Sequence, residues 1–141
     1  MDNLRKHIGS RSLLMTDNGG VFDGTVMTER RMILQNWSAV EKEIEAIVAL
    51  SDETFDLATL ANVRDLLVHC KAYSRLPSGA GKGYWSTIIL WWSNFEIEIF
   101  GDRFELYRFE GQETKIWYSD HVPGTPLSSS LREDLRSYTS P

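Results

Sequence analysis

The sequence predicts an α+β fold in which N-terminal helices pack on one face of a four-stranded antiparallel β-meander and a short C-terminal helix follows. Three observations carry this expectation. Apolar residues recur at helical spacing between residues 39 and 76. After the breaker cluster Pro77–Gly83 the composition turns aromatic and β-branched. Short alternating runs separated by tight turns then continue to Tyr118. Helices before and after a single antiparallel sheet form the α+β pattern. The 141 residues suit one domain, with 1–27 as an arm or loose hairpin, 28–76 as the helical part, 84–118 as the meander and 128–138 as the C-terminal helix.

Each element has its own signal. Asp17-Asn18-Gly19-Gly20 and Asp23-Gly24 are turn signals between short apolar pieces, and a helical stretch over Glu29–Gln35 leads toward the first regular helix. Ser38 followed by Glu41 has capping-box spacing, which predicts a helix from Ala39 to Leu50 with the stripe Val40, Ile44, Ile47 and Val48. Asp56 is the expected cap of a second helix, whose apolar positions Leu57, Leu60, Val63, Leu67 and Cys70 run on until Leu76-Pro77. The loop Pro77–Gly83 reads as a flexible connector. Strands follow at Tyr84–Trp92, Phe95–Phe100, Arg103–Phe109 and Thr114–Tyr118. Ser130 with Glu133 repeats the capping-box spacing and predicts a helix near Leu131–Tyr138.

Composition narrows the function classes. Fifteen basic against twenty acidic residues give a net charge of -5, which argues against nucleic acid as a partner, because phosphate binding needs the opposite sign. The excess sits in the middle of the chain, where residues 38–121 carry eight basic and fourteen acidic side chains. Cys70 is the only cysteine, so a reducing, cytoplasmic setting is expected. Residues 1–15 build no apolar signal core, and the longest apolar run, Ile88–Trp92, is too short to cross a membrane.

Several partial motifs resolve into ordinary structure. Ser78–Gly83 resembles a phosphate loop but has Leu76 and Gly83 where the pattern needs Gly and Ser or Thr, although Lys82 keeps the capacity to touch an anion. The Asp17–Asp23 segment lacks the alternating oxygen ligands of a calcium loop. His69 and Cys70 are neighbours on a helix and point about 100° apart, too divergent for a nucleophile and base. Ser119-Asp120-His121 holds triad residue types without a nucleophile elbow. No zinc-binding spacing occurs, and no catalytic residue, metal or cofactor is expected.

The meander carries the most information. A two-residue turn at Gly101-Asp102 sets Ile99 opposite Phe104, Glu98 opposite Glu105 and Ile97 opposite Leu106. Phe95, Ile97, Ile99, Phe104 and Leu106 then face the helices. Glu96, Glu98, Phe100, Arg103, Glu105, Tyr107 and Phe109 face away and form the candidate binding surface, with Arg103 placed diagonally to relieve the opposed Glu98 and Glu105. Among the tryptophans, Trp91 and Trp92 must point to opposite faces.

A small acidic chain with this mix of carboxylates and aromatics, and without catalytic residues, is similar to bacterial immunity proteins and other inhibitors that cover a basic toxin or nuclease. The resemblance implies a basic protein partner attracted by electrostatic steering. A second reading is a small-molecule-binding domain or enzyme with Glu96, Glu98 and Glu105 in a cleft as acid and base, and His69 or His121 assisting. A third is a self-associating homodimer in which the strand Tyr84–Trp92 packs against its own copy.

Overall fold

The alternating runs of the meander form one antiparallel sheet whose strands lie side by side in chain order. A computed structural model describes residues 35–141. Its helices are α1 (Trp37–Leu50), α2 (Leu57–Tyr73) and α3 (Ser129–Thr139), and its strands are β1 (Gly79–Lys82), β2 (Ile88–Trp92), β3 (Phe95–Ile99), β4 (Arg103–Glu110) and β5 (Glu113–Asp120). The turn-rich arm of residues 1–27 and nearly all of the Glu29–Gln35 stretch lie outside the described residues.

The β3–β4 register is the expected one, with Ile97 opposite Leu106, Glu98 opposite Glu105 and Ile99 opposite Phe104. Alternation then sorts the side chains by face. Ile88, Leu90, Trp92, Phe95, Ile97, Ile99, Phe104 and Leu106 point one way and join Val40 and Ile44 of α1, Val63, Leu66, Leu67 and Cys70 of α2, and Leu131 and Leu135 of α3 in a single core. All three helices therefore share one face of the sheet.

The sheet has five strands where four are expected. The additional strand, β1, is built from the glycine-rich stretch read as a connector, and it pairs Gly79 with Trp91 and Gly81 with Ile89. Its glycines have a packing role. The Trp91 indole lies across the β1 backbone, and a Cβ at Gly79 would overlap the ring atoms Cζ2 and Cε2. This settles the opposed tryptophans: Trp92 is sealed in the core, and Trp91 lies half-buried on the other face over a strip of backbone kept bare for it. Tyr84, Trp85 and Ser86 belong to the β1–β2 loop and not to a strand.

The helix starts are shifted from the expected ones. Asn36 caps α1, its side chain accepting the Ala39 N–H at 2.8 Å, and Ser38 is exposed inside the first turn. Ser128 caps α3 in the same way, accepting the Leu131 N–H at 3.1 Å. In both cases the Ser-x-x-Glu pattern lies two residues inside the helix. Its glutamates serve ion pairs instead, Glu41 with Lys71 and Glu133 with Arg136. Asp56 does precede α2, but its side chain makes no capping bond, and Leu57 beside it is 84% exposed. α2 ends at Tyr73, before the expected Leu76, because Ser74 turns the chain toward α3: its hydroxyl meets the Thr139 hydroxyl at 2.6 Å, and the Arg75 N–H donates to the Thr139 carbonyl at 2.7 Å.

Replacing Asn36 with Ala is therefore expected to lower unfolding stability by about 1 kcal/mol, whereas Ser38→Ala and Asp56→Ala leave it nearly unchanged. Chemical denaturation of the three variants checks this. Equal losses at Asn36 and Ser38 would overturn the assigned start of α1.

Candidate functional site

The sheet face turned away from the helices carries the carboxylates and aromatics singled out in the sequence. Glu98 and Glu105 do stand opposite each other. Arg103 relieves Glu105 and not Glu98: Nη2 lies 2.8 Å and Nε 2.9 Å from Glu105 Oε2. Residues two apart on one strand share a face, so the same-strand carboxylate is the nearer target. The Tyr107 hydroxyl donates to the other Glu105 oxygen at 2.9 Å, and the Arg103 guanidinium also covers the Phe100 ring at 4.0 Å. Glu98 accepts the Thr87 hydroxyl at 2.5 Å. It is only 3% exposed, and Tyr107 only 7%. These two side chains hold the fold together and offer no contact surface. Glu96, Phe100, Arg103, Glu105 and Phe109 are half-buried.

The cleft required by an acid–base reading is not assembled from the described residues. His121 lies on the helical side of the sheet, 5.1 Å from the Phe104 ring, with Nε2 2.8 Å from Asp65 Oδ2. The same oxygen accepts the Gly124 N–H at 2.8 Å, so Asp65 ties the segment after β5 to α2. Burial pushes the Asp65 pKa up, but the hydrogen bonds from His121 and Gly124 outweigh it and hold the group below its ordinary value. His121 thus pairs with Asp65 and not with its neighbour Asp120. His69 packs on Tyr73 in α2 at 4.9 Å, away from the meander carboxylates. A groove of about 530 Å³ runs between α1 and α2, lined by residues such as Ile44, Val48, Leu60 and Val63, and none of Glu96, Glu98 and Glu105 reaches it. Cys70 is fully buried, and desolvation pushes its thiol up to about 11, as suits an inert core residue. Among the described residues no three His, Cys, Asp or Glu side chains are grouped to hold a metal, and no helix is long and apolar enough to cross a membrane.

The accessible chemistry collects instead at one end of the sheet. That end carries the loop 83–87, the β3–β4 turn and the end of β5 in the order of the sheet, and the α1–α2 loop reaches the first of these through Glu53. Lys82 organises the first of these loops. Its Nζ donates to the Trp85 carbonyl at 3.1 Å and the Gly83 carbonyl at 3.3 Å, and lies 3.2 Å from Glu53. The Ser86 hydroxyl donates to the same Glu53 oxygen at 2.8 Å. The anion that Lys82 touches is thus supplied by the protein itself. Gly83 passes so close to Thr87 and Glu98 that a Cβ there would overlap both. The backbone so fixed presents Tyr84 and Trp85 to solvent, 77% and 63% exposed, with their rings edge to face at 4.8 Å. Asp52, Glu53, Asp56, Asp102 and Asp120 are exposed around this end.

The sequence predicts Tyr84 and Trp85 inside a strand, whereas they lie in the β1–β2 loop. The signal against that was Gly83 before them and Ser86 after, a pair of turn residues enclosing the two rings. No protein-family model matches the chain, and no curated protein or solved structure matches it.

Two outcomes follow. Glu98→Lys is expected to destabilise the protein by about 1–3 kcal/mol, since it strands the buried Thr87 hydroxyl and places an ammonium where a carboxylate is packed. Thermal unfolding checks it, and an unchanged midpoint would mean that Glu98 is solvated. Glu53 is held below its ordinary pKa by the Ser86 hydroxyl and by Lys82. A depressed carboxylate contributes above its unfolded pKa and loses that contribution as pH falls through the folded value. The tip is therefore expected to loosen on acidification through the depressed Glu53 range, and at neutral pH in Glu53→Gln. The difference in fluorescence between the wild type and Trp85→Phe reads this.

Proposed function

We propose that this protein is a binding domain that docks a basic protein through the loop end of its sheet, in the manner of an acidic inhibitor. The observation that supports this reading best is the exposed Tyr84–Trp85 pair, with Glu53 beside its loop and further exposed carboxylates along the same end of the sheet. Large aromatics standing in water are poor for solubility, and Lys82, Glu53 and Ser86 fix their backbone in advance, which lowers the ordering cost on association. Aromatic anchors with a charged surround are the usual composition of an energetic centre and its rim. Asp52, Asp56 and Asp120, with Asp102 shared with Arg103 at 2.8 Å, supply the field that steers a positively charged partner and raises its association rate. The contact residues in this reading are Tyr84, Trp85, Asp102 and Asp120. Phe100 and Arg103 lie at the margin, and Glu98 and Tyr107 support from below.

The test is a capture experiment from the native host with three baits: wild type, Trp85→Ala and Asp102→Lys. The wild type should retain a basic protein whose association slows as salt rises. Trp85→Ala is expected to weaken binding by about 2 kcal/mol, roughly 30-fold in Kd, without changing the unfolding midpoint. Asp102→Lys should mainly reduce the association rate. A partner retained equally by all three baits would refute this surface.

A further inference from the structure

The two edges of the sheet differ. β1 is four residues long and has α1 packed against it. β5 has eight residues, roughly 27 Å of extended chain, and among the described residues no strand lies on its outer side. The His121 N–H donates to the Asp102 carbonyl at 3.0 Å. The alternation of an antiparallel ladder then directs the backbone groups of residues 115, 117 and 119 toward β4, and those of Thr114, Ile116, Tyr118 and Asp120 outward. All four outward residues are exposed.

Monomeric sheet proteins blunt such an edge with a bulge, a proline, a short strand or an inward charge. β5 lacks the first three: it pairs with β4 over eight consecutive positions without a bulge, it contains no proline, and it is not short. Its single lysine, Lys115, lies 3.8 Å from Glu110. On the outer face of the strand Ile116 and Tyr118 stand 46% and 63% exposed.

We infer that β5 is a self-association edge, which pairs antiparallel with β5 of a second copy about a two-fold axis and continues the sheet through ten strands. The occupant follows from self-complementarity, because a two-fold interface must match its own pattern. An antiparallel pairing can oppose outward-directed residues only with one another. When Ile116 faces Tyr118 of the second copy, Tyr118 faces its Ile116, Thr114 faces Asp120, and Trp117 crosses its own counterpart at the axis. The four exposed apolar side chains then cover one another on a single face, and no like charges are opposed. With the axis at Ile116 each Tyr118 would face Thr114 and not an apolar partner, and with the axis at residue 115 Lys115 would face Lys115. The axis runs perpendicular to the sheet, so the helices of both copies remain on the same side.

Sedimentation of the full chain from micromolar to millimolar concentration is expected to show a monomer–dimer equilibrium. Residue-resolved hydrogen exchange should show the Ile116 and Tyr118 amides slowing by about tenfold or more as the dimer fills, while those of residues 115, 117 and 119 are protected throughout. Ile116→Pro removes no bond to β4 but blocks the edge, so it should stay monomeric. If that variant fails to fold, Tyr118→Lys and the wild-type exchange decide. A monomer at every concentration overturns the inference. So does protection of Ile116 and Tyr118 that does not vary with concentration, and so does a dimer in which both amides exchange freely.

Discussion

The pairing register of β3 with β4 is the constraint on which the rest of this structure depends. A slip of one residue in β4 would turn Phe104 and Leu106 away from the helices and send Glu105 into the core beside Ile97 and Ile99. The turn that sets the register is held from two sides. The Phe100 N–H donates to the Arg103 carbonyl at 2.9 Å, closing the hairpin, and the fully buried Asn62 of α2 donates to the Phe100 carbonyl at 2.9 Å. A helix thus reads the position of the turn directly, and the apolar stripe of α2 can meet the sheet in one alignment only. Trp92 adds a second tie, its indole N–H donating to the Arg75 carbonyl at 3.0 Å just beyond the end of α2.

The fold was legible wherever periodicity alone decides structure. The stripe of α1, the strands β2 to β5 and the register of the central hairpin all follow from which positions are apolar. Three things were less legible, for separate physical reasons. Helix starts were displaced because the reciprocal glutamate of a capping box has the same spacing as a glutamate in an exposed first turn, and Asn36 needs no such partner to accept an N–H. β1 was hidden because its residues carry no apolar pattern: Gly79 and Gly81 are chosen by the Trp91 ring lying across them, a tertiary contact with no local signature. The partner of Arg103 is hidden because a diagonal cross-strand carboxylate and a same-strand one two residues away are both present in the pattern, and only the short reach between Arg103 and Glu105 decides.

The candidate site shows the same division. Its electrostatic character is visible in the acidic middle of the sequence and its aromatic content in the meander, whereas the exposure of Tyr84 and Trp85 is not. Burial removes Glu98 and Tyr107 from the surface. Exposure of Tyr84 and Trp85 depends on Lys82 and Glu53, which lie 29 positions apart in sequence and meet only because β1 brings its end beside the α1–α2 loop. An internal ion pair of this kind orders a loop more than it stabilises a fold, since exposed pairs contribute little in water.

The connection between the end of α2 and the end of α3 has a consequence for the order in which the molecule assembles. The meander joins neighbours in the chain, and such contacts close quickly. Ser74 and Thr139, by contrast, meet across 65 residues, as do Arg75 and Ser140. Closing that loop carries the largest entropic cost among the hydrogen-bonded contacts described above. α3 is accordingly the natural last arrival in folding and the first element to detach in a partial opening, uncovering Phe95 and Trp117 where Tyr138 now packs. Amides in α3 that exchange only as fast as those of β3 would show that the two leave together, and that the whole domain opens as one unit.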